Sequence, residues 1–189
     1  MLLMHLVQVD QGEPAMNVFA AVLQLLIAVA FVSIPLIRHR YGAAAKAAAE
    51  AELTRQGVPV SVLAENKLSF DASGHETVVP ASVAAVMAAI AAVNLAESPW
   101  GPGLTWVFQS IVLAGNFLIL YSQLTAAKSV RAAFARKGDP VLARIDVPAL
   151  LTAAERGFPH WVFPVVQNIR HGVVLGGSVL ALAATTFLR

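Results

Sequence analysis

The chain has 189 residues, 58% of them hydrophobic and only 13% charged, with a net charge of +2 and a mean hydropathy of +0.70. A soluble domain carries about 25% charged residues; half that density leaves too little polar surface for a globule in water and points to a membrane class. Cysteine is absent, which excludes disulfides, thiolate metal sites and cysteine nucleophiles.

The first element is an apolar run bounded by Glu13 and Arg38, with a membrane helix expected over residues 17–37. Crossing the hydrocarbon core takes about 20 apolar residues. A secretory signal carries its positive charge ahead of the apolar run, and here Arg38 and Arg40 follow it. The run therefore reads as an uncleaved, reverse-oriented anchor. The preceding "MLLMHLVQVDQGEPA" is too short and broken for a span; it reads either as an external tail or as an upstream start ahead of Met16.

After Gly42, "AAAKAAAEAELTRQ" is rich in strong helix formers and predicts helix to near Gly57. The pattern then changes. Val60, Val62, Leu68 and Phe70 alternate with polar residues, and "ENK" and "DASGH" carry turn chemistry. The expectation is two or three short strands, a short hairpin with Gly74 in its second turn. So small a sheet needs a further surface to lie on.

The second span is expected over residues 80–96. It is mostly Ala and Val, and Ala contributes little to insertion, so a buried or re-entrant helix is the alternative there. The third span is expected over 104–126, beginning after "SPWGPG", and the fourth over 169–188. Between them, "AKSVRAAFARKGDPVLARIDVPALLTAAERGFPHW" predicts two short amphipathic helices. The first stops at Gly138. The second has Asp146 as N-cap, Pro148 in its first turn, Arg156 in its last and Gly157 as its stop. Phe158, Trp161 and Phe163 suit a membrane–water boundary.

The predicted fold is thus an all-α polytopic membrane protein of four transmembrane helices. It forms one membrane domain over residues 1–189, with small α/β loops at 38–79 and 127–168. Orientation follows from charge. Of the thirteen basic residues, all but Arg189 lie between Arg38 and Lys67 or between Lys128 and Arg170. Basic residues beside spans are retained in the cytoplasm, so both loops should be cytoplasmic and both termini outside. Heavy use of Ala, and of Arg over Lys, suggests a GC-rich bacterial genome, hence an inner membrane.

No charged residue sits in mid-span, which argues against a proton pump or a charged-substrate channel. On the third span Thr105, Gln109, Asn116 and Gln123 are spaced four, seven and seven apart. At about 100° per residue they share one face. Such a stripe is either interhelical glue or the lining of a small cavity or headgroup path. On the fourth span Gly172 and Gly176 form a GxxxG match, followed by Gly177 and Ala181. That spacing permits close helix contact, within the chain or with another subunit.

Other constellations are weaker. His39 and His171 flank spans at the same boundary but do not lie within them, so haem ligation is disfavoured. His75 beside Glu76 lacks an accompanying nucleophile or metal-ligand cluster. Asn94 and Glu97 share a face as a lone polar pair. No glycine-rich phosphate loop lies between strand and helix, and the basic loops lack the clustered runs that nucleic acid requires; anionic lipid is the simpler partner. No catalytic, cofactor-binding or metal-binding set is assigned. The expected function is an accessory or scaffolding subunit of a larger inner-membrane complex, a transporter (including a lipid transporter) or a respiratory assembly. Its expected partners are other integral membrane subunits and lipid. The alternatives are a small autonomous transporter or lipid-binding protein, and a four-helix membrane enzyme.

Overall fold

The structure, a computed structural model, describes residues 12–71 and 74–187. It is helical, with no strand among the described residues. The elements are α1 (Gly12–Arg55), α2 (Ser61–Glu65), α3 (Gly74–Leu95), α4 (Gly101–Lys137), a 3₁₀ turn (Leu142–Arg144), α5 (Val147–Arg156), a π-helical turn (Val162–Gln167) and α6 (Asn168–Phe187). Four helices are long and apolar enough to cross a membrane, the build of a multi-pass membrane protein. They coincide with the four apolar runs because run length and hydropathy are properties of local sequence.

The chain divides into two compact units. The first takes the chain through Ser33, Val79–Leu118 and the chain from Ile169; the second takes Ile34–Val78 and Ile119–Asn168. The first unit packs through small residues, with Ala20, Ala21 and Ala28 of α1, Ala84 and Ala91 of α3, and Ala181 and Ala184 of α6 all buried beside Ile27, Met87 and Val174. Small side chains let helix backbones approach where no hydrophobic effect drives association. Its outer faces carry large apolar residues such as Leu25, Val29, Ile111 and Leu118, as lipid contact requires.

The second unit has a water-soluble style of core. Ala49, Leu53, Val58, Val62, Leu63, Phe134, Leu142, Ile145, Val147, Leu150 and Ala154 form one buried cluster. Asp146 caps α5, its carboxylate accepting from the Ala149 backbone N–H at 3.1 Å. At the other end Gly157 lies so close to α1 that a Cβ there would stand 2.3 Å from the Ala45 Cα.

The expected hairpin is not there. Residues 61–65 form the short helix α2, and Gly74 opens α3 instead of a strand turn. Val58, Val62 and Leu63 are the residues buried in this stretch, while Val60 is exposed. Val62 and Leu63 are the buried side of α2, and Val58 reaches the same cluster from the turn before it; the alternation of Val60, Val62, Leu68 and Phe70 is too short to decide between periods. One helical turn satisfies its own backbone and buries Val62 and Leu63 against the cluster; two isolated strands could not do so without a partner sheet. Lys67, at φ 54°, closes the turn, with Lys67 N–H donating to Ala64 O and Leu68 N–H to Leu63 O. The third long helix also begins earlier than expected. Gly101 and Pro102 lie in the first turn of α4, where a missing N–H costs nothing.

Candidate functional site: a column of buried polar side chains

Among the described residues, seven polar ones are buried in the first unit: Gln24, Asn94, Thr105, Gln109, Asn116, His171 and Ser178. Three come from α4. Thr105, Gln109 and Asn116 are spaced by four and seven residues, so the helix period turns them to one side. They climb about 16 Å along the axis at ~1.5 Å per residue. All three are at most 2% exposed.

Each rung joins α4 to another helix. At one end, Gln24 of α1 donates through Nε2 to the Thr105 hydroxyl at 3.0 Å. Asn94 of α3 donates through Nδ2 to Gln24 Oε1 and to Thr105 Oγ1, both at 2.9 Å. One hydroxyl thus ties three helices together. Next, Gln109 Nε2 donates to Ser178 Oγ of α6 at 2.8 Å. Last, Asn116 Oδ1 lies 3.3 Å from His171 Nδ1, and accepts in the tautomer that carries its proton on Nδ1. Near the surface, Trp106 Nε1 donates to Thr186 Oγ1 at 2.9 Å, again between α4 and α6. Three atoms of the column make no hydrogen bond among the described residues: Asn94 Oδ1, Gln109 Oε1 and Asn116 Nδ2.

Gln123 continues the spacing but not the column. It belongs to the second unit, is exposed, and accepts from Gln167 Nε2 at 2.9 Å. The small residues of α6 also divide. Gly177 and Ala181 are buried, and a Cβ on Gly177 would stand 3.3 Å from Ile27 Cδ1 of α1. Gly176 and Gly172 lie about 100° and 140° from Gly177 on the helix; both are exposed, and a Cβ on either would meet nothing among the described residues within 4 Å.

Asn94 and Glu97 do not converge on one site. Asn94 is engaged inside the column. Glu97 sits beyond the end of α3 at φ 53°, closing the helix with Ser98 N–H donating to Val93 O at 3.2 Å. Its side chain helps line a cavity of about 250 Å³ with Asn17, Ser98, Pro102 and Thr185. The side chains of His75 and Glu76 lie outside the described residues. Among the described residues, no three His, Asp or Glu side chains could share a metal ion.

Sequence reasoning passed over Gln24 and Ser178. Both carried a signal, since Gln24 is the only polar residue between Val18 and Val32, and Ser178 the only one between Val173 and Ala184. A single amide or hydroxyl in an apolar run needs a partner on another helix, because hydrocarbon offers none.

The column's chemistry is that of neutral donors and acceptors. It holds no carboxylate and no cation besides what His171 could carry, and no nucleophile with a base beside it. What it does well is fix the lateral order and register of four helices. No known family, curated protein or solved structure matches this chain.

Proposed function

We propose that this chain is a scaffolding subunit of a larger membrane complex, in the inner membrane of a bacterium, with its two basic loops in the cytoplasm and both termini outside. The observation that carries the reading is the use of the buried polar groups. Every rung of the column runs between helices, so each of its buried polar side chains takes part in holding the first unit's shape. Polar interhelical contacts of this kind contribute about 0.6–1.7 kcal/mol each, enough together to keep a small bundle rigid within an assembly. The outward pair Gly172 and Gly176 offers a flat strip of α6 that nothing among the described residues covers within 4 Å, the shape another subunit's helix could approach closely. A transporter, lipid transporters included, or a respiratory assembly has the membrane area to recruit such a subunit.

The test is gentle extraction of the tagged chain from its host, with Gly176→Leu beside it. Stoichiometric partners on the wild type that are lost from a folded Gly176→Leu support the reading. A chain that extracts alone, or partners indifferent to that substitution, refute it. A small autonomous transporter is the second reading, favoured by the three column atoms without a hydrogen bond among the described residues. Solute or water flux through vesicles containing the chain alone, abolished by Asn116→Leu, would decide for it.

A further inference from the structure

The second unit carries a groove that the column does not involve. It lies on one side of α4 and is lined by Tyr121, Thr125, Lys128, Ser129, Ala132 and Arg136, with a volume of about 280 Å³. At 100° per residue these positions fall within an arc of about 100°. The opposite side of the same stretch, Ala127, Val130 and Phe134, packs on the buried cluster. The groove therefore belongs to a helix whose back is anchored and whose front is open.

Its chemistry is one-signed. Two cations and three hydroxyls line it, and no carboxylate does. Among the described residues Lys128 and Arg136 have no acidic or hydrogen-bonding partner. Lys137, by contrast, is held by Asn66 Oδ1 at 2.7 Å. The Thr125 hydroxyl donates to the Tyr121 carbonyl at 2.8 Å, leaving its oxygen as an acceptor and the Tyr121 and Ser129 hydroxyls as donors. Toward the apolar run of α4, Tyr121 and Leu124 are 67% and 78% exposed. A cationic, hydroxyl-bearing groove that gives way along one helix to bare apolar surface has the polarity profile of a phospholipid, phosphate first and acyl chain second.

We infer that this face of α4 is a binding site for an anionic phospholipid headgroup. Lys128 and Arg136 contact the phosphate and its neighbouring anionic charge, the Tyr121 and Ser129 hydroxyls donate to its oxygens, and the first methylenes of the chain lie along Leu124. The site differs from a diffuse basic surface because its charges stand about two turns apart on one helix face, with the Ser129 hydroxyl between them and those of Tyr121 and Thr125 on the turns before Lys128. Each basic residue held at an anionic interface contributes enough to shift lipid preference several-fold.

The test uses the full chain reconstituted in phosphatidylcholine vesicles. The association of spin-labelled phosphatidylglycerol is measured relative to spin-labelled phosphatidylcholine. Wild type should prefer phosphatidylglycerol, and Lys128→Gln/Arg136→Gln should lose about fivefold or more of that preference. The charge-matched pair Arg144→Gln/Arg156→Gln should keep most of it. Ala132→Glu, which puts a carboxylate into the groove at an exposed position, should abolish the preference without touching the core. No preference in wild type, or equal loss in both double variants, would overturn the site in favour of diffuse charge. Loss of the preference on adding inorganic phosphate at constant ionic strength would make the ligand free phosphate rather than lipid, and overturn the proposal as well.

Discussion

Thr105→Val is the substitution that most directly probes the column. It keeps the shape of the side chain and removes one oxygen, and that oxygen accepts from both Gln24 Nε2 at 3.0 Å and Asn94 Nδ2 at 2.9 Å. Asn94 Nδ2 keeps its bond to Gln24 Oε1; Gln24 Nε2 keeps none among the described residues. Hydrogen bonds between membrane helices contribute about 0.6 kcal/mol on average and up to about 1.7. Stranding a buried amide donor adds a desolvation penalty of roughly 1 kcal/mol or more. The expected loss is therefore about 2 kcal/mol. It should be read as a shifted midpoint when the chain is unfolded reversibly by a denaturing detergent in mixed micelles. A cycle with Gln24→Leu should show coupling of about 0.5–1.5 kcal/mol, since the two residues share a bond. Trp106→Phe, which breaks only the exposed bond to Thr186, should cost clearly less. If Thr105→Val shifts the midpoint by under about 0.3 kcal/mol, or its effect simply adds to that of Gln24→Leu, the hydroxyl does not tie these helices together.

Three further outcomes follow from local geometry. Gly157→Ala has an allowed φ but no room, because its Cβ would enter the Ala45 backbone; it should cost about 1–3 kcal/mol, and wild-type thermal stability would refute the close approach. Lys67→Gly should raise stability by about 0.5–1 kcal/mol, since the exposed lysine loses no packing and glycine adopts φ 54° without strain; an unchanged or lowered melting temperature would count against it. Asp71 accepts from the Ser69 hydroxyl at 3.0 Å and pairs with Lys46 at 3.3 Å, and these contacts hold its carboxyl below the usual range, the Ser69 bond most of all. A depressed folded-state pKa stabilises above the ordinary carboxylate pKa of about 4 and is lost as pH falls through the folded value. Amide exchange in residues 69–71 should therefore accelerate in excess of the intrinsic rate below about pH 4, and Asp71→Asn should remove that excess; an acid limb unchanged in the variant would show that another group sets it.

Much of this architecture can be read from the chain because it depends on near neighbours. Apolar runs long enough for a membrane are visible residue by residue. The stop at Gly138 and the bracketing of α5 by Asp146 and Gly157 rest on bonds spanning only a few positions. The common face of Thr105, Gln109 and Asn116 is a consequence of the helical period alone. The segment after Gly57 misled because four alternating residues fit a strand as well as they fit a helical turn. Only the packing of Val62 and Leu63 together on one cluster selects the helix. The partners of the polar face lay beyond sequence altogether. Gln24 and Thr105 are 81 positions apart, and Gln109 and Ser178 are 69 apart. Spacing says which side of a helix a group occupies and nothing about which helix comes to meet it. The same holds for the glycines of α6, where one small-residue motif became two faces. Gly177 packs on Ile27 and Gly176 on nothing among the described residues, because a rotation of about 100° between adjacent residues sends neighbours in sequence to different surroundings.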